Sequence, residues 1–335
     1  MGLPPSLARI VRSIARIART RYPRFLFGRP LRPGEIPVFV YHDVDPEAFA
    51  SDLAFLRNNS YRTLSTEEFV QHVAERAGGR AVLLTFDDAR RNFWEVAFPL
   101  LRHFGACATL FAPTYWVGDG RHGGTAEKDM FMTWDEMRTC RASGLVDVQS
   151  HAHRHALVFT SARLVGFASP QALAQYDIYD WPMRRDGEGD VQGRPPLGTP
   201  VYEATPLLSA SFRVLEDQAA ARACQEHVAA RGGERFFARP KWAAELRTVH
   251  QERAGRASQM GAREFDDLVA SEFVLTRRLF QEELGVAPRY LAFPWMLGSA
   301  RSLALAAEHG IEAVFGVGLD FRRVGRVSRA RGFPS

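Results

Sequence analysis

Two places in the chain bring together side chains capable of hydrolytic chemistry. The first is Ala81-Val82-Leu83-Leu84-Thr85-Phe86-Asp87-Asp88, an apolar run that ends on adjacent carboxylates. An unpaired buried charge is costly, so two acids closing a buried strand point to a cation nearby. The same pair would also serve as a solvent-facing helix N-cap. The second place is Val146-Asp147-Val148-Gln149-Ser150-His151-Ala152-His153-Arg154-His155, where a strand pattern runs into three histidines within five residues. His151 and His155, four apart, are expected to share one face of a helical turn, a spacing that lets two imidazoles close on one metal. His153, at alternate spacing, is expected to point away. One carboxylate and two imidazoles leave positions open for water and substrate, as in a catalytic rather than a structural zinc site.

Such residues need a scaffold that sets strand ends side by side. After the Arg29-Pro30-Leu31-Arg32-Pro33-Gly34 linker, 37–41 reads as a strand and 67–76 as a helix opened by Ser65 and Thr66. Strands follow at 81–86, 108–111 and 146–149, with helices at 93–104 and 134–142. Alternation of this kind implies a parallel sheet with helices outside it and functional residues on the loops after the strand C-termini. From about 156 to 261 the rhythm breaks. That stretch holds Tyr176, Tyr179, Trp181, a Gly/Pro-rich passage from Gly187 to Pro200 and an expected helix at 212–231. An interruption this long reads as a lid, a binding element or a small subdomain. A helix at 263–284, a strand at 290–293, a helix at 300–309 and a strand at 313–317 complete the pattern.

Taken in order, Thr85-Phe86-Asp87-Asp88 and His151 to His155 resemble the TFDDG and HSxxH or HTxxH motifs of the polysaccharide deacetylases of carbohydrate esterase family 4, the NodB homology domain. The resemblance covers about 35–155 and 265–320. It implies an α/β fold, a distorted or incomplete (β/α)7-type barrel over 35–335 with 156–261 inserted, preceded by a separate 1–34 segment. It also implies roles: Asp87 as general base, with Asp88, His151 and His155 holding a divalent ion, zinc or else cobalt or nickel. Pro37-Val38-Phe39-Val40-Tyr41-His42-Asp43-Val44 resembles the YHDV-like motif of the poly-N-acetylglucosamine deacetylase branch. His42 inherits from that motif the part of general acid, and Asp43 beside it that of a substrate contact. The bland alternative for His42 is a strand-end histidine bonded to a neighbouring carboxylate.

Departures from the family pattern shift some of these roles. Ala89 stands for the glycine of TFDDG, and Ala152 for the small hydroxyl residue after the first histidine. Tyr290-Leu291-Ala292-Phe293-Pro294-Trp295 stands where RxPY is expected, keeping only the proline. Pro294 and Trp295 are therefore carried as substrate-binding positions, the Trp295 backbone N–H as an oxyanion donor. With Ala292 in place of arginine, Asp87 needs another cation or hydrogen bond to tune it. No LxxH motif is found near the C-terminus, which directs the acid role to His42.

Charge is distributed unevenly. Lys and Arg number 43 against 38 Asp and Glu, yet eight arginines and no acid precede Gly34, so +5 overall minus those eight leaves −3 for the remainder. The basic balance belongs to one segment, no recognition module follows it, and no nucleic-acid partner is expected. Within it Leu7, Ile10, Val11, Ile14 and Ile17 recur at helical spacing opposite Arg9, Arg12, Arg16 and Arg19. An amphipathic basic helix over 7–27 suits contact with an anionic membrane surface, and equally a packed helix with solvated arginines. Cys107, Cys140 and Cys224 form no CxxC pair and read as reduced packing residues. Without a membrane-length apolar run or a signal-peptide pattern, the expected location is cytoplasmic, peripheral on the inner membrane face.

These expectations combine into metal-assisted amide hydrolysis, with Asp87 taking a proton from water and His42 protonating the departing amine. The expected substrate is an N-acyl (acetyl or formyl) amino sugar in a polysaccharide or lipid-linked glycan. Tyr176, Tyr179 and Trp181 are candidates to stack on its rings, or else form a small core of their own. Two other classes stand beside this one. A catalytically degenerate glycan-binding domain would keep the fold without turnover. A glycosidase would need Asp87 and Asp88 to flank one bond, for which adjacent residues that point apart are poorly placed.

Overall fold

The computed structural model describes residues 36–75, 79–118, 128–187, 189–255 and 257–316, together with the backbone of 322–323 and 326–327. The basic 1–34 segment, including the helix expected over 7–27, lies outside the described residues. The first half runs β1 (Val38–Tyr41), α1 (Pro46–Asn58), β2 (Arg62–Thr63), α2 (Thr66–Glu75), β3 (Ala81–Phe86), a π-helical turn at Phe93–Ala97 leading into α3 (Phe98–Phe104), β4 (Ala108–Ala112), α4 (Trp134–Ala142) and β5 (Val146–Ser150). Local chemistry sets several of these boundaries. Asp45 caps α1 by accepting from the N–H groups of Glu47 and Ala48, and Thr133 with Glu136 forms a capping box on α4. Gly105, left-handed at φ 63°, ends α3.

The inserted stretch then carries β6 (Leu157–Phe167), α5 (Pro170–Gln175), β7 (Arg184–Asp186), β8 (Gly189–Val191), β9 (Pro200–Pro206), β10 (Val214–Leu215), α6 (Gln218–Ala229), α7 (Trp242–Arg253) and β11 (Ser258–Gln259). The helix expected from 212 begins only at Gln218: Val214 and Leu215 pair with Gln259 and Ser258 as a strand, and Asp217 caps α6 behind them. β6 and β9 form a long antiparallel pair. Phe167, Cys224, Val228, Phe236 and Leu246 make a local core among β6, α6 and α7. The chain returns through α8 (Ala262–Leu284), β12 (Tyr290–Ala292), α9 (Ala300–Glu308) and β13 (Ala313–Phe315), followed by the backbone pair β14 (Arg322–Arg323) and β15 (Arg326–Val327).

β1, β3, β4, β5, β12 and β13 pair in that order, all parallel, with β2 also on β3 and β14 and β15 antiparallel beyond β13. Among the described residues β1 and β15 do not pair, so the sheet curls without closing. This is the incomplete (β/α) barrel expected. Val38, Val40, Leu83, Phe111, Tyr290, Ala292, Ala313 and Phe315 share one core on the inner face. On the other face, Val82, Leu84 and Phe86 of β3, Leu110 of β4 and Val148 of β5 join Phe49, Leu53, Leu101, Met137 and Phe280 of the helices. All six residues of β3 are buried, as a parallel strand covered on both faces must be.

Behind the C-terminal end of β3, Phe86 meets Tyr41, Phe49 and Phe93 at centroid distances of 5.1, 5.6 and 4.8 Å. Burying one such ring contributes about 1.5–3 kcal/mol, so the peptide that leads into Asp87 rests on a stiff platform. The three cysteines are free, Cys140 and Cys224 buried among apolar neighbours. No helix among the described residues is long and apolar enough to cross a membrane.

Candidate active site

Adjacent strand ends deliver the two motifs to one point. Beyond β3, the Asp87 N–H donates to the Tyr41 carbonyl at 2.9 Å, after which Asp88 and Ala89 turn the chain sharply with φ of 74° and 48°. Beyond β5, the His151 N–H donates to the Ala112 carbonyl at the end of β4, at 3.1 Å. The helical turn expected for His151 and His155 is not formed. Residues 151–156 are a loop with left-handed backbone at Ala152 (φ 64°) and His155 (φ 51°), and these reversals bring the two rings to 4.8 Å. With Trp295 (φ 50°) and Met296 (φ 59°), six of the seven described left-handed non-glycine residues belong to the site segments. Each costs about 1–2 kcal/mol, a strain that persists only where the surroundings over-determine the backbone.

Asp88 Oδ1 lies 3.6 Å from His151 Nε2 and 3.5 Å from His155 Nε2, and one ligand-type atom from each residue falls within 4.8 Å of the others. Asp87 Oδ2 is 4.0 Å from His151 Nε2. All four side chains are buried. His151 Nδ1 donates to the Ala292 carbonyl at 2.8 Å, which fixes the tautomer and leaves the Nε2 lone pair toward Asp88. The residue that lacks the family's arginine side chain thus orients the site through its backbone.

Burial pushes His151 down to about 3 and His155 well below the ordinary imidazole range, the charge of His151 adding to the latter. Burial, then the negative charge of Asp88, raises Asp87 well above the carboxylate range. Asp87 Oδ1, Asp88 Oδ1 and His155 Nδ1 have no hydrogen-bond partner. Neutral imidazoles facing an orphaned buried carboxylate oxygen are a donor set that fits one divalent cation, whose charge would offset that of the carboxylates.

Residues far away in sequence hold this arrangement. Glu272, 1% exposed in α8, accepts the N–H groups of His153 and Arg154 at 3.0 and 2.7 Å and the Arg154 guanidinium at 2.8 Å. The Arg154 carbonyl accepts from Trp116 Nε1 at 2.7 Å, and Gln192 of the insertion donates to the carbonyls of Arg154 and His155, both at 3.1 Å. His153 does turn away, its Nδ1 2.8 Å from Thr114 Oγ1.

The cation sought for Asp87 is also present, but it serves its neighbour. Arg90 Nε donates to Asp88 Oδ2 at 3.3 Å, and its Nη2 to Asp177 Oδ1 of the insertion at 2.9 Å. Sequence reasoning missed Glu272 and Arg90. The signal for Glu272 was a charge set within the apolar stripe Phe265, Val269, Phe273 and Phe280 of α8.

His42 and Asp43 are exposed just beyond β1. Burial raises Asp88 above the ordinary carboxylate range, with the Arg90 guanidinium the main influence against it. Pro294 is buried, and Trp295 packs on His155 at 4.2 Å between ring centroids. Of the three aromatics expected to stack on sugar, only Tyr176 is exposed, at 48%. Tyr179 and Trp181 are each 3% exposed, and Tyr179 packs with Ile178, Trp116 and Phe131 in a small core.

The curled parallel sheet has the NodB-like (β/α) barrel fold, with an Asp/His/His group at its strand ends. Comparison with known proteins agrees: residues 74–181 match the polysaccharide deacetylase family, a stretch that includes Asp87, Asp88, His151 and His155. The poly-beta-1,6-N-acetyl-D-glucosamine N-deacetylase of Escherichia coli (strain K12) is 30% identical over 125 residues, 33% of this chain and 18% of that protein. The matches span less than half the length of the curated relatives. The BpsB deacetylase domain from Bordetella bronchiseptica superposes with a TM-score of 0.54 at 18% identity, covering 91% of this chain and 96% of that one. A de-N-acetylase from Aggregatibacter actinomycetemcomitans gives 0.53 at 16% identity over 89% and 97%. At these identities the likeness to the solved structures is one of fold.

Proposed function

We propose that this chain removes an N-acyl group, acetyl or formyl, from an amino sugar of a glycan by metal-assisted hydrolysis. The observation that carries this reading is the buried Asp88, His151 and His155 group with the partnerless Asp87 oxygen beside it. A divalent ion held there, zinc or else cobalt or nickel, would polarise an amide carbonyl and acidify water. The name of the Escherichia coli relative supports an amino-sugar polymer as substrate.

The remaining chemistry falls to the chain itself. Asp87, stiffly presented by β3, takes the proton of the attacking water. His42, exposed at the open end of β1, hands a proton to the departing amine. Pro294 and Trp295 wall the acyl end, the Trp295 backbone N–H being the oxyanion donor, and Asp43 stands at the rim. Both adjacent carboxylates approach the same His151 Nε2, at 4.0 and 3.6 Å, which supports a shared cation centre over two acids flanking a glycosidic bond.

The test is acyl release from N-acetylated and N-formylated amino-sugar substrates, lipid-linked ones included, by chelated protein with and without zinc, cobalt or nickel. Release restored by metal supports the reading. Silence across the panel with metal bound favours a glycan-binding domain without turnover. The basic 7–27 segment supports action at an anionic membrane surface, and liposome co-sedimentation unaffected by deleting residues 2–27 would remove that part.

A further inference from the structure

Tyr179 comes from the segment between β6 and β9 rather than from a strand of the parallel sheet, yet it sits as deep as the metal-type ligands. It is 3% exposed, its ring lies 4.1 Å from that of His155 at an angle of 38°, and its hydroxyl has no hydrogen-bond partner. Buried phenols ordinarily find a partner, so an orphaned one inside a site indicates a missing group. The surroundings hold it firmly. Asp177 accepts the Tyr179 N–H at 3.2 Å and the Arg90 guanidinium at 2.9 Å, and Arg90 also lies over the ring at 5.4 Å. Trp116 and Phe131 meet the ring edge-on, at 5.3 and 5.8 Å.

A phenol keeps its proton at neutral pH, so the Tyr179 hydroxyl is a hydrogen-bond donor. His155 and Tyr179 are 5% and 3% exposed, so on the deacylase reading the small acyl end of an amide, rather than a sugar ring, is the group that would reach them. We infer that the Tyr179 hydroxyl donates a hydrogen bond to the acyl oxygen of the substrate as that oxygen gains negative charge, which makes part of the insertion catalytic machinery. This rests on the deacylase reading. The phenol keeps its proton throughout, and its contribution is the stronger hydrogen bond to the charged oxygen.

The experiment is Tyr179→Phe in the full chain, which removes one oxygen and keeps the packed ring. Four quantities are compared with wild type: kcat, KM, zinc affinity by chelator competition, and acetate affinity followed in the cobalt-loaded protein. Acetate offers an oxygen where the acyl oxygen would lie. The inference expects kcat to fall about 10²- to 10³-fold, with KM and zinc affinity largely unchanged and acetate binding weakened. An unchanged kcat overturns it, and so does lost zinc affinity, which would make the phenol a metal ligand. If wild type itself shows no turnover on any substrate, the deacylase reading fails. If wild type turns over and Tyr179→Phe matches it, only the present inference fails.

Discussion

Glu272 Oε2 accepts the backbone N–H of Arg154 at 2.7 Å across 118 residues of sequence. The same oxygen takes the His153 N–H, and Oε1 takes the Arg154 side chain. One buried carboxylate therefore pins the middle of the loop whose two ends are His151 and His155. That loop is left-handed at Ala152 and His155, so it needs such an external hold.

Removing the clamp should release the loop. Glu272→Ala strands two backbone donors and a guanidinium whose side chain is 19% exposed, and is expected to cost about 1–3 kcal/mol for each buried donor left unpaired. Zinc affinity should fall with it, and Glu272→Gln should lose less. Thermal melts and chelator competition check both; a Glu272→Ala protein that binds zinc like wild type would show the histidines to be positioned without it.

Asp87→Asn should separate chemistry from metal binding. General-base loss costs about 10²- to 10⁴-fold in kcat, while Asp88, His151 and His155 remain to hold the ion. Turnover at the wild-type rate with full metal occupancy would remove Asp87 from the mechanism.

Arg90 joins Asp88 to Asp177 with a side chain only 14% exposed. Arg90→Ala is expected to lower stability by about 1–3 kcal/mol and to reduce kcat by loosening the Asp177–Tyr179 turn. Arg90→Lys keeps the charge but cannot reach both carboxylates at once, so it should restore little. Melting temperature and kcat measured on both variants decide this, and full rescue by lysine would contradict the two-ended role.

Metal-free stability should depend on pH in a defined direction. With His151 lowered to about 3 from 6.5, the unfolded chain takes up a proton below pH 6.5 that the folded chain refuses. Stability therefore falls as pH drops from 6.5 toward 3, by up to about 1.4 kcal/mol per pH unit for each such imidazole, and His155 acts in the same direction. Asp87 acts oppositely: its raised pKa adds stability that is complete below 3.8 and is lost as pH rises through its folded value. A bound divalent ion needs neutral imidazoles, and burial already keeps both neutral in the folded chain at pH 5.5, so the rise in Tm on adding zinc should be nearly the same at pH 5.5 and 7.5. No rise at either pH would count against His151 and His155 as ligands, and a rise confined to pH 7.5 would show that their imidazoles titrate above 5.5.

That Asp87, Asp88, His151 and His155 would meet in space could be read from the sequence because they sit at the ends of short, doubly buried strands. Apolar runs such as Ala81–Phe86 advertise those strands locally, and the strand–helix alternation leaves a parallel sheet as their common scaffold. The exclusion of His153 came from the same local spacing. Three features were decided by tertiary structure. A spacing of four suits a helical turn, but bonds from Ala112, Glu272 and Gln192 impose a left-handed loop instead. Arg90 sits two residues after Asp88, but its partner Asp177 is 87 residues away. Tyr179 looks like a sugar platform in sequence, and only packing against His155 shows it to be buried. Periodicity reports which face of an element is covered. It carries no information on which distant group covers it, because that depends on the packing of the whole chain.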